Sequence, residues 1–152
     1  MFKEWQSWWR RRVGVTTKPA LAWHFALAAQ RPAIGRLNDA LEQVLLGHIP
    51  ESALRSLQVA LDELLTNVIM HAIAVQGMIE LDLKRGDGVL ETNIEYRAEA
   101  FDPTGTPSQA RAVSIADSPI GGLGLHLVHT LMDDFRHEYC DGCNRLYLRQ
   151  RL

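Results

Sequence analysis

Three side chains at a spacing of four stand out as able to do chemistry: Glu63, Asn67 and His71. On a helix this spacing places them along one edge, about 6 Å apart per step. The residues between them are mostly apolar: Leu64, Leu65, Val68, Ile69 and Met70. Polar groups embedded in such a helix must be satisfied by protein, water or a ligand. A carboxylate and an amide oxygen one turn apart suit a hard cation such as Mg²⁺, held partly through water. The carboxylate could also take a proton from a hydroxyl nucleophile. The plainer alternative is a solvated polar stripe shared with Asp62 and Thr66. A second feature lies about 55 residues on, where Gly121-Gly122-Leu123-Gly124-Leu125 opens a helical pattern. Glycines let backbone N–H groups approach an anion, and a helix N-terminus adds positive potential. Cys140-Asp141-Gly142-Cys143 has metal or redox spacing, but there is no second cysteine pair, so it reads as a hairpin turn. His24, His48, His126, His129 and His137 are scattered, and none sits beside a serine or cysteine with a third partner. They read as structural.

The elements that must position these residues follow from hydrophobic period. Leu21 to Ala29 is a short apolar run, expected as a strand buried on both faces. Pro32 opens a helix with Ile34, Leu37, Leu41, Val44 and Leu45 on one face, ended by Gly47 and Pro50. A longer helix runs from Glu51 to about Ala74, with Leu54, Leu57, Leu61, Leu64, Leu65 and Val68 as its apolar stripe. Ile79 to Lys84 and Val89 to Tyr96 alternate as strands around the Asp87-Gly88 turn. Ala98 to Ile120 has no period, which in a compact domain favours a functional segment such as a lid. A third helix reaches about Asp133, then Phe135–Tyr139 and Arg145–Leu148 form a last hairpin. This order predicts an α+β two-layer sandwich: a mixed, mostly antiparallel sheet with helices on one face.

Composition narrows the class. At 152 residues the chain suits one domain. A net charge of −2 speaks against direct binding of nucleic acid. Two cysteines cannot build a disulfide framework, and no apolar run is long enough for a transmembrane segment. The N-terminus lacks the pattern of a signal peptide, so a cytoplasmic protein is expected. Residues 1–19 stand apart as an arm and linker: Phe2, Trp5, Trp8 and Trp9 precede Arg10-Arg11-Arg12. That arm either packs on protein or docks on a membrane or partner. Residues 20–152 form the domain.

Within that domain, Asp62-Glu63-Leu64-Leu65-Thr66-Asn67-Val68-Ile69-Met70-His71-Ala72 resembles the N box of Bergerat-fold, histidine-kinase-like ATPases. More narrowly it is similar to the anti-sigma-factor serine/threonine kinases of bacterial partner-switching systems. Phe101-Asp102-Pro103 resembles the end of the family's first glycine box. Gly122-Leu123-Gly124-Leu125-His126-Leu127-Val128 resembles its second, and Asn144-Arg145-Leu146-Tyr147-Leu148 its last strand. The resemblance implies ATP and Mg²⁺ as cofactors. Asn67 would hold Mg²⁺, and Glu63 would activate a serine hydroxyl on an anti-anti-sigma antagonist. Phe101, Asp102, Gly122, Leu123, Gly124 and Leu125 would bind the nucleotide, with Arg111 either near its γ-phosphate or solvated. The second partner would be a sigma factor or similar regulator, and the protein a homodimer. One departure bears on all of this. The family's adenine-binding Asp falls at Tyr96 and its glycine at Ala98. Tyrosine supplies no carboxylate, so the alternative is a module with weak or no nucleotide binding that acts through protein contacts.

Overall fold

The computed structural model describes residues 21–72, 74–104 and 121–152, with side chains from Leu125 onward in the last stretch. The Trp-rich arm, Arg111 and most of the expected lid lie outside the described residues. Among the described residues, five strands and three helices follow the order β1 (Leu21–Ala28), α1 (Arg31–Leu45), α2 (Glu51–His71), β2 (Gln76–Gly86), β3 (Val89–Arg97), α3 (Gly121–Leu131), β4 (Asp134–Cys140) and β5 (Cys143–Arg151). The sheet order is β1-β2-β3-β5-β4. Every pairing in it is antiparallel, so the sheet is not mixed.

The strand register assigns the two faces. Leu27, Ile79, Leu81, Leu83, Ile94, Leu146 and Leu148 lie on the inner face and are buried. They meet Leu41 and Leu45 of α1 and Leu57, Leu61, Leu64, Leu65 and Val68 of α2 in one continuous core. The other face carries paired charges: Glu95 faces Arg145, and Glu91 faces Arg149. Arg145 Nε donates to Glu95 Oε2 at 3.2 Å, and the Tyr147 hydroxyl donates to Glu91 at 2.8 Å. One face is covered by helices and one is polar, as a two-layer sandwich requires.

Two expectations fail. β1 is not buried on both faces. It is an edge strand, and Ala22, His24 and Ala26 point to the uncovered face and are exposed. Small alanines on that face made the run look uniformly apolar. The second helix ends at His71, three residues early, where Ala72 turns to extended backbone and its N–H bonds Val68 O at 3.0 Å. Alanine is the best helix former, so Ala72 and Ala74 gave no stop signal. The chain must instead turn into β2, and Ala74 takes φ 57 to do so.

Both hairpins turn on Asp-Gly with positive φ at both positions: Asp87 at 49 and Gly88 at 72, Asp141 at 51 and Gly142 at 74. That is the two-residue turn whose twist matches paired strands. Cys140 and Cys143 are therefore cross-strand neighbours flanking a turn, and both thiols are free.

Candidate functional site

The helix α2 presents the polar edge as the spacing predicted. Asp62 faces solvent, Glu63 is half-buried, Asn67 is only 6% exposed and His71 is exposed. The stripe therefore sinks toward the domain at Asn67 rather than lying in water. The Asn67 Nδ2 atom is buried and has no hydrogen-bond partner among the described residues. Such an orphaned donor typically costs about 1–3 kcal/mol unless a ligand satisfies it.

One turn beyond Asn67, the His71 ring lies 6.5 Å from the Phe101 ring. This brings the end of α2 against the segment leaving β3. That segment is tied down by one residue, Asn144, which is fully buried on the inner face of β5 opposite Tyr96. Asn144 Oδ1 accepts from Phe101 N at 2.9 Å and from His137 Nε2 at 2.9 Å. Asn144 Nδ2 donates to Glu99 O at 2.9 Å and Ala98 O at 3.5 Å. Two donors and two acceptor sites are thus all in use. Because Oδ1 only accepts, His137 must carry its proton on Nε2. Its Nδ1 lies 3.5 Å from Asp102 Oδ1.

Asp102 is held locally as well. Its Oδ1 accepts from Thr104 N at 2.8 Å and from Thr104 Oγ1 at 2.6 Å, closing a turn. His129 Nε2 sits 3.4 Å from Thr104 O, so α3 packs beside this turn. Leu125 packs half-buried against the core from the start of the second turn of α3. The backbone of Gly121–Leu131 is helical from its first residue, and the side chains of Leu123 and its neighbours lie outside the described residues.

Tyr96 decides what the far end of the site can hold. The ring is 1% exposed, and its hydroxyl donates to Phe101 O at 3.3 Å. Burial pushes its phenol well above the ordinary value of 10. Ala98 is also buried, with its N–H on Gly142 O at 3.3 Å. Glu95 points to the other face and pairs with Arg145, so it cannot replace the missing carboxylate. Glu99 is exposed, and its carbonyl is held by Asn144.

A nucleotide with Mg²⁺ therefore fits this site at one end and not the other. Toward the phosphates such a ligand would meet the buried Asn67 Nδ2, unpartnered among the described residues, one turn from a half-buried carboxylate and near a helix that starts on glycines. At the base end, a buried tyrosine and a saturated asparagine stand where a carboxylate would be needed. Sequence reasoning missed the roles of Asn144 and His137. The signal for Asn144 was present: a polar residue at an inward position of an otherwise apolar alternation with Leu146 and Leu148.

The two-layer sandwich with this polar helix edge agrees with the sequence comparisons. The chain belongs to the histidine kinase-like ATPase domain family, whose model matches residues 26–150. It is 31% identical over 101 residues to the serine-protein kinase RsbW of Listeria monocytogenes serovar 1/2a, covering 59% of this chain and 61% of that one. It is 32% identical over 95 residues to the serine/threonine-protein kinase BtrW of Bordetella bronchiseptica, covering 61% and 67%. The chain thus spans about three-fifths of the Listeria kinase. In fold it resembles the RsbU and RsbW domains of Rv1364c from Mycobacterium tuberculosis, with a TM-score of 0.61 and 18% identity, over 88% of this chain and 32% of that one. No helix among the described residues is long and apolar enough to cross a membrane.

Proposed function

We propose that the chain is a partner-switching regulator of the anti-sigma type. It phosphorylates a serine of an anti-anti-sigma antagonist with ATP and Mg²⁺ and otherwise sequesters a sigma factor or similar regulator. It works in the cytoplasm as a homodimer, with residues 1–19 as an accessory arm to the domain at 20–152. The observation that carries this function is the buried amide nitrogen of Asn67, without a hydrogen-bond partner among the described residues and one helical turn from Glu63. The likeness to two named serine kinases supports it.

In this assignment Asn67 holds Mg²⁺ through its amide oxygen. Glu63, half-buried and therefore close to ligand yet able to exchange protons, takes the proton of the substrate serine hydroxyl. The backbone N–H groups at Gly122, Leu123, Gly124 and Leu125 favour the phosphates. Phe101 and Asp102 shape the wall between the base and phosphate ends through the Asn144 and Thr104 contacts. When bound, ATP with Mg²⁺ supplies the transferable γ-phosphoryl group, and the protein contributes position and charge.

Labelled ATP with candidate antagonist proteins tests the kinase directly. Phosphoserine should appear, and Glu63→Gln should lower its rate at least about 100-fold. An unchanged rate in Glu63→Gln removes Glu63 from the chemistry. The second reading is a regulator that acts through protein contacts without nucleotide, and it is favoured by the buried Tyr96 ring. Binding of the partner that is indifferent to ATP and Mg²⁺ would select it.

A further inference from the structure

We infer that the polar face of the sheet is the docking surface for this chain's own N-terminal arm, residues 1–12. The core places α1, α2 and α3 on the other face. Among the described residues no helix covers the polar face, yet a row of three residues on it is buried. Asp82 is 8% exposed, Asn93 9% and Tyr147 2%. Asp82 stands opposite Asn93, and Asn93 opposite Tyr147, across the three middle strands. In the centre of that row, Asn93 Oδ1 is buried and has no hydrogen-bond partner among the described residues. A buried acceptor in that state calls for a donor from outside the sheet. Next to the row, Glu80 stands directly opposite Glu95, a like-charge pair that costs stability unless a cation joins it. Glu95 is paired with Arg145, and Glu80 has no ion pair among the described residues. On β1, Ala22 and Ala26 are exposed and small, which leaves room beside Glu80 and Asp82 for large rings.

The arm has the groups that this face lacks. Arg10, Arg11 and Arg12 supply cations and N–H donors, and Trp5, Trp8 and Trp9 supply rings with an indole N–H each. With Phe2 these rings carry about 600 Å² or more of surface, the extent that marks an interaction patch on a soluble protein. Residues 13–20 tether the arm to Leu21, the first residue of β1. Fully extended, such a tether spans about 29 Å at most. Five strands spaced about 4.8 Å apart are only about 19 Å across. The arm therefore reaches every strand of the face within its own chain. A short tether holds it there at an effective concentration in about the millimolar range, so a partner that uses this face must displace it. The face lies across the sheet from Asn67, and the inference holds whether or not the kinase function does.

Tryptophan fluorescence of the full chain tests this. Trp23 is the only tryptophan outside the arm, so Trp23→Phe, with its fold checked by circular dichroism, leaves emission from the arm alone. If that variant does not fold, the unaltered spectrum minus that of the protein with Trp5, Trp8 and Trp9 all changed to Phe gives the same reading. The arm's emission should be blue-shifted and shielded from acrylamide, and urea should abolish both. The shielding should stay constant over a roughly hundredfold range of protein concentration. Ala22→Arg with Ala26→Arg puts positive charge at exposed positions of the face and should open the tryptophans to the quencher. Arg10→Glu, Arg11→Glu and Arg12→Glu together should do the same, and combining the two sets should restore the shielding. Tryptophans as accessible in the native chain as in urea overturn the inference. So does shielding that grows with concentration, which assigns the arm to a second copy, or that appears only with vesicles of anionic phospholipid. Shielding that neither set of substitutions disturbs, or that the combined set fails to restore, overturns the assignment to this face. No nucleotide enters the measurement, so each of these outcomes leaves the kinase function standing.

Discussion

Asn144 shows how much one side chain can fix. Its amide joins three backbone groups of the segment after β3 to a histidine on β4. Asn144→Ala leaves those groups buried or half-buried without partners. The expected cost is about 3 kcal/mol, a fall of about 6–12 °C in Tm. Asn144→Asp has nearly the same shape but turns a carboxylate oxygen toward two carbonyls. It should be at least as destabilising, and thermal unfolding of the two variants checks both. The two thiols differ in a similar way. Burial, with Glu95 alongside, pushes the Cys143 thiol up to about 12. Cys140 is exposed. Alkylation of the native protein near pH 8 should therefore modify Cys140 and spare Cys143, as mass spectrometry of the labelled peptides would read. Equal labelling of both would mean that the hairpin tip opens.

Among the elements, α2 carries both the core and the site. Leu61, Leu64, Leu65 and Val68 are fully buried on the helix that presents Glu63 and Asn67. Leu64→Ala should cost about 2–5 kcal/mol, measured by urea unfolding. Loss of the core contact and loss of the site's register would come together. The turn of the last hairpin gives a cleaner backbone test. Gly142 sits at φ +74 with open space around the position a Cβ would take. Gly142→Ala therefore has no clash to relieve, and its cost of about 1 kcal/mol is that of the backbone conformation alone. Gly142→Asn should cost less, since Asn tolerates this region. These elements were legible in the sequence to different degrees. The stripe of α2 and both Asp-Gly turns are local patterns, and local patterns survive into the fold. The edge position of β1 was not legible, because strand order is decided by pairing across the chain and Ala22 and Ala26 suit either face. The end of α2 was hidden for the opposite reason: its helix propensity is high and tertiary geometry overrides it. At the site, the spacing of Glu63 and Asn67 was legible and their unequal burial was not. The Tyr96 departure was visible as a substitution, but its partner Asn144 lies 48 positions away, on a different strand.

For the whole molecule, the junction of α3 with the last strand supplies an acid-sensitive tie. Asp133 Oδ2 accepts from Arg151 N at 2.6 Å, and Oδ1 accepts from Arg151 Nε at 3.0 Å. The Arg151 backbone N–H, assisted by its guanidinium, holds the Asp133 carboxyl below its ordinary value of 3.8. A carboxyl depressed in the folded state stabilises above its unfolded pKa. That contribution is lost as pH falls through the folded value. Asp133→Asn should therefore unfold at lower urea than the unaltered protein at pH 7. The gap should close as the pH drops below about 3.8. A gap that does not narrow at all as the pH falls below about 3.8 would show that the charge is not what matters there.

The sheet joins two local hairpins by the distant seam of β3 against β5, and β1 adds to β2 across the first two helices. Each hairpin can close on its own turn within microseconds, but the seam must wait for the ends of a long loop to meet. The entropy of that closure grows only logarithmically, by about 0.6 kcal/mol for each doubling of length. Chain added between Thr104 and Gly121 thus barely changes the stability of the sheet. The length of the chain between Thr104 and Gly121 can therefore vary in evolution at little thermodynamic cost.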